Sequence, residues 1–117
     1  MQITEITFNG PIPVDSYGPG FFRVAGELVE GPLAMLPGHF DPWQGFDDIK
    51  MFLAAAATID VLLVGMGAEI APMPADIRTK LEDAGIGVEV MATPSACRTY
   101  NILLSEGRRV GAALLAV

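Results

Sequence analysis

Along the second half of the chain the apolar residues switch between two rhythms, and each switch marks an element. Ile49, Phe52, Leu53 and Ala56 follow the i, i+3, i+4, i+7 spacing of one helical face, with Asp47 placed to cap. They predict a helix from Phe46 to about Thr58. Asp60 to Met66 then carries Val-Leu-Leu-Val with no alternation, as expected of a strand in a sheet covered on both faces. Pro74 opens a second helix at its first turn, with Ile77, Leu81 and Ala84 as its buried stripe and Gly85 as its stop. On its solvent side, Asp76–Lys80 and Arg78–Glu82 stand at i, i+4. Val88 to Ala92 is a strand, Thr93-Pro94 supplies a cap followed by proline at the first helical position, and Gly107 ends the helix that carries Ala96, Tyr100, Leu103 and Leu104. Arg109 to Val117 reads as a strongly apolar closing strand.

The first part of the chain has shorter rhythms broken by glycine and proline. Ile3 to Phe8 reads as a strand, and PIPVDSYGPG as a loop, because Pro11, Pro13 and Pro19 have no N–H to give a ladder. Phe21 to Val24 and Glu27 to Glu30 flank Ala25-Gly26 as a two-residue hairpin. Leu33 to Leu36 is a further short strand before the loop PGHFDPWQG. A β-rich entry followed by α-β-α-β-α-β predicts an α/β fold built in layers around a largely buried sheet. No linker or repeat divides the chain, so residues 1–117 are expected to form one domain.

Composition narrows the partners. The net charge is −7, and residues 1–48 carry seven acids against Arg23 alone. Such a surface repels phosphate backbones and anionic membranes, so nucleic acid is not an expected partner. A local basic site near Arg98, Arg108 and Arg109 stays open. Met51 to Ala68 resembles a membrane span with one charge, Asp60, but it divides into an amphipathic helix and a buried strand. With Cys97 the only cysteine and no basic-then-apolar leader in MQITEITFNG, a reducing, cytoplasmic setting is expected.

The candidate chemistry is sparse. Gly65-Met66-Gly67 lacks the third small residue of a dinucleotide loop, since Ile70 stands there, and Glu69 would oppose a pyrophosphate. The two glycines either turn the chain at the end of a buried strand or open a pocket at that sheet edge. Thr93 to Asn101 puts hydroxyls and the Arg98 guanidinium at a helix start that favours anions, or is simply a capped helix with a solvent-facing arginine. Asn101 is a poor helix former, so something other than propensity holds it there. Trp43 is expected as a lid over the apolar entry region. Cys97, early in its helix and beside Arg98, has two features that lower a thiol pKa, but His39 lies far off in sequence. One histidine and one cysteine give no metal spacing, and no nucleophile elbow exists, so neither metal, cofactor nor catalytic residue is assigned.

Asp60 with Val61 to Gly67, Gly87 to Met91, Thr93, Ala96 to Asn101, Glu106 to Val110 and Ala112 to Leu114, with Leu36-Pro37 and Trp43, resemble the small-domain family that includes mitochondrial complex I assembly factor 3. The resemblance implies a three-layer α/β fold with a mixed sheet. It also implies a non-enzymatic interaction module with a protein partner, beside respiratory complex I assembly in the mitochondrial branch. That branch carries a targeting segment; this chain begins without one, which fits a bacterial cytoplasmic member. The alternative is a small-anion or enzymatic cleft between the Gly65–Gly67 turn and the Thr93–Asn101 helix start, with Trp43, Gly65, Gly67, Thr93, Arg98 and Asn101 as the tentative pocket.

Overall fold

The computed structural model describes residues 10–117, so the strand expected at Ile3–Phe8 lies outside the described residues. Where the apolar residues alternate between two faces, both faces are covered. The central sheet has five strands in the order β5 (His39–Pro42), β4 (Leu33–Leu36), β8 (Val110–Leu114), β6 (Val61–Gly65), β7 (Gly87–Met91). β4 runs antiparallel to both β5 and β8, while β6 is parallel to β8 and to β7, so the sheet is mixed. Leu33, Met35, Leu63, Ala112 and Leu114 point to one face, and Ala34, Leu36, Leu62, Val64 and Ala113 to the other.

The first face is covered by α3 (Thr93–Ser105), through Ala96, Cys97 and Tyr100, and by a three-stranded antiparallel sheet of β1 (Ser16–Gly18), β2 (Phe21–Val24) and β3 (Glu27–Glu30). The second is covered by α1 (Lys50–Ala54) and α2 (Ala75–Asp83), through Phe52 and Leu81. This is the expected three-layer α/β arrangement, with helices on both sides of a mixed, mostly buried sheet. The β2–β3 hairpin turns at Ala25-Gly26 as expected, with positive φ at both residues (51° and 81°), the geometry that matches strand twist.

The structure corrects several local expectations. The loop PIPVDSYGPG contains β1, paired to β2 with Gly18 opposite Phe21, and PGHFDPWQG contains β5, which pairs with β4 across Pro37-Gly38. Both are edge strands whose side chains are mostly exposed, so they need no apolar alternation. The first helix is a single short turn and a half, capped by no side chain: Asp48 N–H bonds the Gly45 carbonyl in a turn, and Asp47 does not cap. Pro74 stands one position earlier than expected, at the cap of α2. Ala92 caps α3 in extended geometry, which makes Thr93 the first helical residue and frees its hydroxyl for another use.

Candidate functional site

The carboxyl end of β6 is the natural place to look, because open α/β sheets bind ligands beyond the ends of their parallel strands. Here that end is pinned on both sides. Thr93, fully buried, accepts from the Gly67 N–H at Oγ1 (2.9 Å) and donates its hydroxyl to the Leu115 carbonyl (2.7 Å). Its own N–H donates to the Gly67 carbonyl at 2.8 Å, and Leu115 N–H reaches Gly65. One hydroxyl therefore ties the start of α3 to the ends of β6 and β8. The two glycines serve this for different reasons. Gly67 has φ of 103°, a region that penalises side chains. Gly65 lets the helix approach: a Cβ there would meet Thr93 Oγ1 at 2.7 Å and Thr93 Cα at 2.9 Å.

Asn101 owes its place in mid-helix to a second tie. Its Oδ1 accepts from the Val14 N–H and its Nδ2 donates to the Val14 carbonyl, both at 2.9 Å, so the side chain pairs with the segment as another strand would. Tyr100 donates to the Ile12 carbonyl at 2.9 Å. Ile12 and Val14 are thereby held over the first core face, where both are buried.

Of the residues named from sequence, Gly65, Gly67 and Thr93 come together in direct contact. Asn101 lies further along α3 and turns to Val14. Arg98 is exposed and forms no ion pair among the described residues. Trp43 belongs to the opposite face: it is 2% exposed, packs edge-on against Phe46 (5.2 Å) and Phe52 (5.8 Å), and donates its indole N–H to the Asp48 carbonyl at 2.7 Å. Of the basic residues, Arg108 and Arg109 lie together at one groove, and Arg109 forks onto Asp60 and the Ala57 carbonyl at the far end of β6 from Thr93.

Electrostatics add no reactive group here. Burial pushes the Cys97 thiol up from 9.0 to about 11, which overrides the expected lowering by helix and arginine. Burial likewise raises the Tyr100 phenol. The Arg109 hydrogen bond, with its charge, holds the exposed Asp60 carboxyl below its ordinary value. Among the described residues no three of His, Cys, Asp and Glu gather to hold a metal, and no buried side-chain polar atom lacks a partner.

Two surface features escaped the sequence reading. One groove of about 420 Å³ is lined by Ile70, Ala71, Pro72, Met73, Ala75, Arg78 and Val90, beside β7, the edge strand of the sheet among the described residues. Another of the same size lies where Pro37, Thr58, Leu104 and Arg108 meet. The signal for the first was Ile70, an apolar residue in a proline-rich loop, which is 69% exposed.

A mixed five-stranded sheet under helices and a small second sheet, with a sealed strand end, defines a class of α/β domain that has solved counterparts. A crystal structure described as an outer membrane protein from Bartonella henselae superposes with a TM-score of 0.84 at 36% identity, covering 94% of this chain and 98% of that one. The solution structure of a Bordetella pertussis protein described as an Mth938-like domain gives 0.74 at 29% identity, covering 98% and 92%. Residues 14–115 match the family described as "Protein of unknown function (DUF498/DUF598)", and the chain belongs to that family. An uncharacterized protein of Rhodobacter capsulatus is 53% identical over 98% of this chain and 93% of its own length. The human NADH dehydrogenase [ubiquinone] 1 alpha subcomplex assembly factor 3 is 34% identical over 87% of this chain, which spans 59% of the length of that relative. The resemblance read from segments such as Ala96 to Asn101 and Glu106 to Val110 is therefore one of family. Among the described residues, no helix is long and apolar enough to cross a membrane.

Proposed function

We propose that this chain acts as a single, non-enzymatic interaction domain that assists the assembly of a respiratory complex I, working from the cytoplasm on protein partners. The observation that carries the reading is the likeness to assembly factor 3 across 87% of the chain at 34% identity. The chemistry of the strand end supports it. Thr93 at the strand end and Asn101 further along α3 are both engaged with backbone, and the thiol and phenol on the same helix are held neutral by burial. The Gly65–Gly67 turn and Thr93 then belong to the scaffold, and Arg98 to the outer surface offered to partners.

A tagged pull-down from native membrane and cytosol, read by mass spectrometry, tests this. Reproducible recovery of complex I subunits is expected. Good recovery of bait without them, together with saturable binding of phosphate or a nucleotide to the isolated protein, would replace this reading by a small-anion site.

A further inference from the structure

Among the described residues no strand pairs with the outer edge of β7, and that edge is built differently from the rest of the sheet. Gly87 donates to the Asp60 carbonyl and Met66 donates to the Met91 carbonyl, so residues 87, 89 and 91 face β6. Alternation then turns the backbone groups of Val88 and Val90 outward. The Val88 carbonyl is taken: Arg78, held by Glu82 at 3.2 Å, donates Nη2 to it at 3.1 Å. Among the described residues the Val90 N–H and carbonyl and the Ala92 N–H have no partner. Beside them runs the groove of Ile70, Ala71, Pro72, Met73 and Val90. An exposed edge with unpaired backbone groups is a template for another strand, and an adjoining apolar pocket selects one of its side chains.

The charges around the groove select further. Its loop, α2 and β7 carry Glu69, Asp76, Glu82, Asp83 and Glu89 against Arg78 and Lys80, and Arg78 is already paired. A second copy of this chain is a poor occupant. Antiparallel pairing of Val88 with its mate's Val90 sets Glu89 opposite Glu89, and like charges there destabilise. Centring the pair on Val90 instead sets Val88, its carbonyl held by Arg78, against Ala92, whose carbonyl already accepts from Ala96.

We propose that the Val90–Ala92 edge of β7 is a docking strand for an extended segment of another protein, one apolar side chain seated in the Ile70–Met73 groove and a lysine or arginine beside it. This rests on the interaction-domain reading and names the surface and the partner chemistry. Arg78 sets the limit of the added strand, because pairing cannot run past the carbonyl it occupies.

The probe is a short acetylated peptide of alternating valine and threonine with a lysine at each end, titrated into labelled protein and followed by amide and methyl resonances. Shifts are expected at the Val88, Val90 and Ala92 amides and the Ile70 and Met73 methyls. N-methylating the peptide's central valine removes its donor and is expected to weaken binding by about tenfold. Replacing its lysines by glutamates weakens it at low salt, and the gap closes as salt rises. Ile70→Ser, on a residue whose exposure leaves folding untouched, is expected to weaken binding, as is Val90→Pro, which deletes an outward N–H. Absence of shifts at this edge, indifference to N-methylation, or concentration-dependent shifts of the same amides without peptide would each overturn the proposal, the last in favour of self-pairing. Running Ile70→Ser beside the native chain in the pull-down separates the two readings. Partners lost with the variant support the edge. Partners kept by both sink the edge and leave the interaction reading standing, whereas partners captured by neither sink that reading and the edge with it.

Discussion

Both ends of β6 are tied by a side chain, one from Arg109 just before β8 and one from the start of α3, yet the two ties differ in kind. At the carboxyl end Thr93 works neutral and fully buried, through two short hydrogen bonds to backbone. At the amino end Arg109 grips Asp60 and the Ala57 carbonyl with both partners of the ion pair more than half exposed. A buried group that loses its partner keeps its whole desolvation penalty, while an exposed pair returns to water. The energy of the strand's anchoring is thus concentrated at the end where other α/β sheets open a site.

The largest effect is expected from Gly65→Val. Its Cβ alone would strike the Thr93 backbone, so the start of α3 must move, at a cost of about 3 kcal/mol. Thermal melting should fall by roughly 10–15 °C, and an unchanged melt would show that α3 shifts freely. Thr93→Val keeps the shape but leaves the Gly67 N–H and Leu115 carbonyl unpaired, for about 2 kcal/mol. Thr93→Ser should recover most of that; equal loss in both variants would show that the methyl group contributes as much as the hydroxyl. Asn101→Ala gives up both bonds to Val14 and is expected to cost about 1–2 kcal/mol, with faster hydrogen exchange at the Val14 amide. Arg98→Ala should stay within about 0.5 kcal/mol of the native chain.

Acidity gives a further contrast. Cys97 and Tyr100 are held protonated, so the folded chain prefers their neutral forms. Stability from Cys97 is complete below pH 9 and is lost as pH rises from 9.0 towards 11, with Tyr100 adding to the loss above pH 10. Melting is expected to hold steady from neutrality to pH 9 and then decline, and Cys97→Ala should delay the onset. A decline of the same onset in that variant would assign it to the Tyr100 phenol. The smallest effect belongs to the exposed tie: Arg109→Gln should lower melting slightly at low ionic strength and not at all in ~1 M salt.

Much of this architecture could be read from pattern alone, and the parts that could not share a cause. The two-faced run Val61 to Gly65, the Ala25-Gly26 hairpin and the glycine-stopped helices each carry their signal within a few neighbours. β1 and β5 do not, because an edge strand with exposed side chains has no apolar rhythm to betray it. Asn101 stood out as misplaced in a helix, but its reason lies 87 residues away at Val14. Thr93 was misread as a cap for the same reason, since its hydroxyl answers to Gly67 and Leu115 and not to its own helix. Trp43, Arg98 and Asn101 were grouped on sequence grounds alone, and the sheet stands between Trp43 and the helix that carries the other two.

The position of β8 has a consequence for how the chain is made. β8 follows all its neighbours in sequence yet lies between β4 and β6, with Leu33 paired to Leu114. During synthesis the β4–β5 hairpin and the β6–α2–β7 unit can each form from local contacts, but they share no edge until residues 110–114 leave the ribosome. For that interval each exposes an unpaired strand side and half of an apolar face, the features that recruit chaperones and favour misassembly. Closing the sheet then requires contacts across some eighty residues, so it should be slow compared with the pieces it joins. The strand that turns the two fragments into a domain is thus translated after both of them.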